Sequence, residues 1–329
     1  MKSMFLNRVI AETVAEEMRR ADNIYLMGED IMNLRGAFSH YIGVPEEFPD
    51  RCMDMPIAEL GYAQFATGAA MIGMRPIVDL MFGSFSTLSC DAIINVATKY
   101  RYCTLGKRNL PIVYMMANGS RGMFGGWSSG CNHNHCVESM YHNVAGLKIL
   151  MPYYPADVKG LLKAAIRDDD PVLFLYHLGS LGIRGNVPEE DYVIPINNAA
   201  NIVKEGKDVT VVALHAMLKK TEEAVEILAK DGIDIEIVDP RVLVPLDKDK
   251  ICSSVAKTGR VLIAHEAPVR GGPGGEIAAV IAENCYNKLK APIKRLGQLS
   301  SPGPVGPTEV MMQPKTEDVV KIVKELMKY

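Results

Sequence analysis

Residues 54–80, "DMPIAELGYAQFATGAAMIGMRPIVDL", change their period halfway, and that change decides the fold. From Glu59 to about Gly73 the small residues Gly61, Ala63, Ala66, Gly68, Ala69 and Ala70 mark a helix that a neighbour can approach closely. From Arg75 the run "RPIVDLMF" is short, apolar and bounded by glycine, as a buried strand reads. Working outward, the same alternation recurs: strands are expected at 23–28, 110–117, 147–152 and 171–176, with helices at 87–103 and 155–167. Apolar strands separated by crossover helices make an α/β fold with mainly parallel sheets.

From His177 to about Asn201 the pattern lapses into Gly, Pro and acidic residues, then restarts with strands at 208–214, 234–239, 260–266 and near 292–296. Helices are expected up to Lys230, across 248–257, after Gly275 and at 316–328. Two α/β domains follow, at 1–180 and 201–329, joined by a linker at 181–200.

A chain of 329 residues with 48% hydrophobic side chains can bury two such sheets. Its net charge of −3 comes with no basic stripe, which argues against nucleic acid as a partner. At the start, Phe5, Leu6, Val9, Ile10, Val14 and Met18 recur at helical spacing, the pattern of an amphipathic helix rather than a signal peptide. No run approaches the roughly 18 apolar residues of a membrane span, so a cytoplasmic protein is expected. The seven cysteines are irregularly spaced, and reduced thiols are the expectation.

Parallel sheets hold ligands beyond the carboxyl ends of their strands. Glu59 stands there, at a helix start, where an acidic residue ordinarily complements the dipole. Phe82 and Phe85 follow the next strand and could pave a flat ligand or simply fill a core. The loop "NGSRGMFGGWSSGCNHNHC" carries Gly119, Gly122, Gly125, Gly126 and Gly130, a density that suits close backbone approach to a ligand. Cys131, His133, His135 and Cys136 crowd six positions of it, yet no second Cys/His pair exists to close a zinc cage. A titrating histidine in a glycine loop is the preferred reading. "RGGPGGE" (270–276) lacks dinucleotide and Walker spacing and reads as a tight turn opening a helix.

Together with "GEDI" (28–31), "AGLKILMPYYPADVKGLLKAAIRDDDPV", "VDPRVLVPLDKDKICSSVAKTGRVLIAHE" and "GGPGGEIAAVIAEN", these segments resemble the beta subunit of thiamine diphosphate-dependent 2-oxo acid dehydrogenases, a family that includes the pyruvate, branched-chain and acetoin enzymes. The resemblance implies a transketolase-like pyrimidine-binding domain followed by a transketolase C-terminal-like domain. By it, Glu59 hydrogen-bonds the aminopyrimidine and favours the tautomer that accepts a proton from the thiazolium carbon. Counting from Glu59 places the stacking aromatic at Phe85, with Ile57 and Phe82 also at the ring. His133 takes the position of the family's proton-handling histidine. His135 replaces a glutamine, and Asn143, beside His142, replaces a second histidine.

Some members hold a potassium ion, and the matching positions are Ile112, Ala165, Ile166, Asp168 and Asp170. The "GDG" run that fixes magnesium and diphosphate in thiamine enzymes does not occur in this sequence. The resemblance therefore implies an alpha subunit carrying that half of the site, beta–beta contacts in an assembly of two alpha and two beta chains, and docking to a lipoyl acyltransferase core. A split transketolase acting on sugars is the alternative.

Overall fold

The computed structural model describes residues 1–124 and 130–329, and the chain divides into two compact units. Gly125 and Gly126 of the glycine loop lie outside the described residues.

The first unit comprises 1–118 and 143–196. Its strands are β1 (Lys2–Phe5), β2 (Ile24–Gly28), β3 (Cys52–Asp54), β4 (Arg75–Phe82), β5 (Val113–Asn118), β6 (Lys148–Leu150), β7 (Val172–His177) and β8 (Arg184–Val187). Within this unit the main sheet runs β6-β7-β5-β4-β2-β3, every pair parallel. Every residue of β5 and β7 is buried, so "VYMMAN" and "VLFLYH" read as continuous apolar runs instead of alternating ones. Helix α1 (Leu6–Arg20) packs against α3 (Pro155–Arg167), while α2 (Glu59–Met71) crosses between β3 and β4. The α1–α3 seam is tied by Lys163–Glu16 at 2.6 Å and Arg167–Glu17 at 2.7 Å.

The second unit comprises 119–142 and 197–329. Its strands are β9 (Asn201–Lys204), β10 (Val209–Ala213), β11 (Ile235–Asp239), β12 (Val242–Val244), β13 (Val261–Pro268) and β14 (Lys294–Gln298). A five-stranded sheet, β14-β13-β10-β11-β9, is parallel except for the antiparallel edge strand β9. Its helices are α4 (Met217–Ala229), α5 (Lys248–Thr258), α6 (Gly274–Cys285) and α7 (Thr316–Leu326). Helix α5 shows why such segments stop where they do: Asp247 accepts the Lys250 N–H at its start, and Gly259 takes φ 75° at its end.

Three features depart from the sequence expectations. The amphipathic N-terminal helix begins at Leu6, because residues 2–5 pair antiparallel with Arg184–Val187 inside the expected linker. That ribbon is held further by Arg184 lying 4.7 Å over the Phe5 ring. Residues 119–142 pack with the second unit, not with the flanking sequence. The helix expected across 87–103 is a 3-10 turn (Gly83–Thr87), a π-helical stretch (Asp91–Ala97) and a short α-helix (Thr98–Cys103). Among the described residues no helix is long and apolar enough to cross a membrane.

Candidate active site

Strand β2 lies between β3 and β4, so the segments leaving these three strands emerge at one carboxyl edge of the sheet. Glu29 follows β2, residues 55–58 follow β3 and lead into Glu59 at the start of α2, and Phe82 ends β4. Glu59 is 7% exposed and is the acidic residue of the helix's first turn. Ala58 supplies no side-chain cap to that helix. Ser89 Oγ fixes the turn by donating to the Glu59 carbonyl at 3.0 Å.

Glu29 is also buried, and its Oε1 has no hydrogen-bond partner. Burial pushes the Glu29 carboxyl up to about 7, helped by the negative charges of Glu59, Asp30 and Asp79 and opposed by a hydrogen bond from Tyr62. Two buried acids whose charges disfavour one another can retain a proton near neutral pH. Such an edge can give or take a proton without help from bulk water.

Phe82 ends β4 at the same edge and Phe85 follows it, both half-buried, with ring centroids 5.4 Å apart at 70°. Phe38 meets Phe82 edge-on at 5.1 Å. Ile57 is 85% exposed, so its side chain is open to a ligand or another chain. Glu59, Phe82, Phe85 and Ile57 therefore all belong to the first unit.

His133 belongs to the second unit. It is half-buried in a turn closed by its own N–H donating to the Gly130 carbonyl at 3.0 Å. The loop is tied down by polar contacts. Glu266 Oε1 accepts the Ser120 N–H at 2.5 Å, the Ser120 hydroxyl donates to Glu309, and the Gly122 N–H donates to Ser120 Oγ at 2.9 Å. Glu138, Glu266 and Glu309 are all buried, and burial with the charges of Glu138 and Glu266 pushes the Cys136 thiol well up. Cys136 is therefore a poor thiolate, while Cys131 and His135 face solvent. Among the described residues no three His, Cys, Asp or Glu side chains gather as a metal site. Burial lowers the affinity of His142 for a proton.

The positions matched to potassium meet in the turn that ends α3, where the chain's own cations engage the oxygen atoms. Arg75 Nη1 donates to the Ile166 and Asp168 carbonyls at 3.2 and 2.9 Å. The Ile112 carbonyl accepts from Val172 N–H at 2.9 Å, and that of Ala165 from Asp168 N–H at 3.3 Å. Lys148 lies 2.6 Å from Asp168, and Arg101 2.6 Å from Asp170. A carbonyl oxygen with one donor keeps a second lone pair, so these contacts leave the potassium positions open. A cavity of about 720 Å³ nearby, lined by Tyr102, Leu105, Leu110, Leu147 and Pro171, includes Asp170 but neither Glu59 nor the aromatic pair.

Sequence reasoning gave no role to Glu29 or to Asp79. The available signals were an acid immediately after a strand in "GEDI" and a charge in the middle of the apolar run "RPIVDLMF".

Residues 2–182 match the transketolase pyrimidine-binding domain, and residues 198–319 the transketolase C-terminal domain. The chain is 40% identical to the 2-oxoisovalerate dehydrogenase subunit beta of Bacillus subtilis, over 95% of each chain. It is 37% identical to the beta subunit of acetoin:2,6-dichlorophenolindophenol oxidoreductase of Cupriavidus necator, over 99% of this chain and 98% of the relative. It is 36% identical to the pyruvate dehydrogenase E1 component subunit beta of Rickettsia felis, over 98% of each. A split-gene transketolase solved as an inactive beta4 tetramer shares the fold, with TM-score 0.79 over 99% of each chain at 23% identity. With an acidic edge and an aromatic pair on a pyrimidine-binding domain, and relatives matched along nearly their whole length, the chain belongs to the beta-subunit family of the thiamine diphosphate-dependent 2-oxo acid dehydrogenases.

Proposed function

We propose that the chain is the beta subunit of an oxidoreductase that cleaves the carbon–carbon bond beside a carbonyl of a 2-oxo acid or acetoin and passes the acyl group to lipoamide. The observation that carries this reading is the buried Glu59 beside Glu29, whose carboxyl stands at about 7. A buried oxygen of Glu29 without a partner and a half-exposed aromatic pair fit the aminopyrimidine half of thiamine diphosphate. When bound, that cofactor supplies the acidic thiazolium carbon and the electron sink. Glu59 would hold a proton at the ring nitrogen, and Glu29 would keep the neighbouring charge low enough for that proton to stay. Phe82, Phe85 and Ile57 would orient the ring and exclude water. His133 would move a proton on the substrate side.

Magnesium and diphosphate are assigned to a companion alpha chain, since this sequence lacks the run that would hold them. One surface suited to that partner runs from Ile57 through Leu60 and Phe65 to Ile72, all exposed around the small Gly61 and Gly68. The beta–beta contact and docking to an acyltransferase core are proposed for the second unit. Potassium at the turn of Ile112, Ala165, Ile166, Asp168 and Asp170 stays within the proposal, where it would share the turn's oxygens with Arg75, Lys148 and Arg101. Among the described residues no disulfide joins the cysteines, which suits a reducing compartment, and the cytoplasm is the proposed location.

The test is reconstitution with the companion chain encoded by the native host, supplied with magnesium and thiamine diphosphate. Acyl transfer to lipoamide from branched 2-oxo acids, pyruvate or acetoin is the expected result. Turnover of sugar phosphates alone would overturn it in favour of a split transketolase.

A further inference from the structure

Behind the aromatic pair lies a charged group in the interior of a parallel sheet. Asp79, 4% exposed, sits in β4, with its Oδ2 2.8 Å from Nε2 of His40, which is wholly buried. Its other oxygen, Oδ1, accepts the backbone N–H of Met81 at 2.8 Å. Met81 takes φ 60°, a left-handed conformation that methionine adopts at a cost. Pairing of β4 with β5 loses register between Asp79 and Phe82.

These facts depend on one another. A carboxylate that captures the amide two residues on closes a local turn. The turn drives Met81 into left-handed backbone and inserts a bulge into the strand. Strand side chains alternate between faces, so the bulge decides which face Phe82 takes. Strained backbone of this kind persists only where its surroundings over-determine it. Here the Asp79 carbonyl accepts from the Tyr62 hydroxyl at 3.4 Å, and a Cβ on Gly28 would come within 2.8 Å of that same carbonyl. The His40 ring is fixed by Tyr41 at 4.1 Å, Tyr176 at 5.2 Å and Phe38 at 5.7 Å. Phe38 in turn abuts Phe82.

We propose that His40 and Asp79 are positioning residues: by holding Met81 in its left-handed turn they set the angle at which Phe82 and Phe85 meet the cofactor's ring. Their burial keeps both from touching the ring, so they act through the backbone. The inference rests on the reading of the aromatic pair as a platform for thiamine diphosphate.

The experiment uses the complex reconstituted with its companion chain. It follows thiamine diphosphate binding by calorimetry and hydrogen exchange in peptides spanning residues 79–85. Asp79→Ala should weaken cofactor binding about tenfold or more, as loss of a charge-assisted hydrogen bond would. It should also speed exchange at the Met81 amide. In that background Met81→Gly should recover much of the affinity, because glycine adopts φ near 60° without a carboxylate to hold it. Asp79→Asn, which keeps an oxygen for the Met81 amide, should stay within about threefold of wild type. Should Asp79→Ala fail to fold, His40→Gln carries the same test at about threefold amplitude, again with recovery by Met81→Gly.

Unchanged binding in folded Asp79→Ala or His40→Gln complexes, or no recovery with glycine at position 81, would overturn this inference alone. A wild-type complex that binds no thiamine diphosphate would overturn the functional reading and this inference with it.

Discussion

Glu29 and Glu59 are both buried, and burial together with the Glu59 charge makes a charge on Glu29 costly. The Glu29 carboxyl stands at about 7 against an ordinary 4.5, so between those values the native state binds a proton that the unfolded chain has released. That contribution is complete at low pH and is lost as pH rises through 7. The thermal midpoint of the chain should therefore carry a component that falls between about pH 5 and about pH 8. Glu29→Gln should remove that component and raise the midpoint at the alkaline end, read by calorimetry across the range. Glu59→Gln should leave the fold intact but lower turnover of the reconstituted complex by about 10²-fold or more, the usual worth of a positioned proton-transfer group. Turnover within a few-fold of wild type would remove Glu59 from the chemistry. Glu59 was picked out by the resemblance that its "PIAE" context carries, since its place at a helix start alone reads as a partner of the dipole. Glu29 was not, since its proton affinity is set first by burial and then by the charges of Glu59, Asp30 and Asp79, and the burial exists only in the fold.

Element by element, the sheets and long helices were legible because apolar runs and small-residue periodicity survive without tertiary context. Strand β1 was not: Phe5 fits the helical stripe, and only pairing with residues 184–187 draws the backbone before Leu6 into a ribbon. The run "RGGPGGE" was readable as a turn into α6, but its second purpose was hidden. The buried ring of His265 fills the space these glycines leave, and a Cβ on Gly274 would lie 2.7 Å from its Nε2. Burial holds His265 at about 4 against an ordinary 6.5, so the native state must keep it neutral. Stability is lost as pH falls from 6.5 towards 4, where the unfolded chain binds the proton and the native one does not. His265→Met should flatten that acid limb in a melting series. Gly274→Ala should cost about 1–3 kcal/mol through overpacking, measured as a lowered denaturation midpoint.

For the molecule as a whole, the half-site on the first unit and the missing diphosphate run point the same way. The purified chain by itself should show no turnover, and adding the companion chain should restore it while raising the melting temperature with the logarithm of companion concentration above the dissociation constant. Leu60→Glu or Phe65→Glu, on the exposed α2 face, should reduce that rise by weakening association, with little effect on melting of the chain alone. An undiminished rise in both variants would place the contact elsewhere. The two-unit plan was legible from the break in strand alternation. The grouping of residues 119–142 with the second unit was not, because Ser120 meets Glu266 through its backbone N–H and Glu309 through its hydroxyl, both far along the chain.

The polypeptide passes from one unit to the other three times, after Asn118, His142 and Ile196. A protease nick or an engineered break at 196–197 would accordingly fail to yield two self-sufficient halves. The fragment 1–196 would carry a loop stripped of its acidic hosts, and the fragment 197–329 would expose two carboxylates whose serine had left with the other piece.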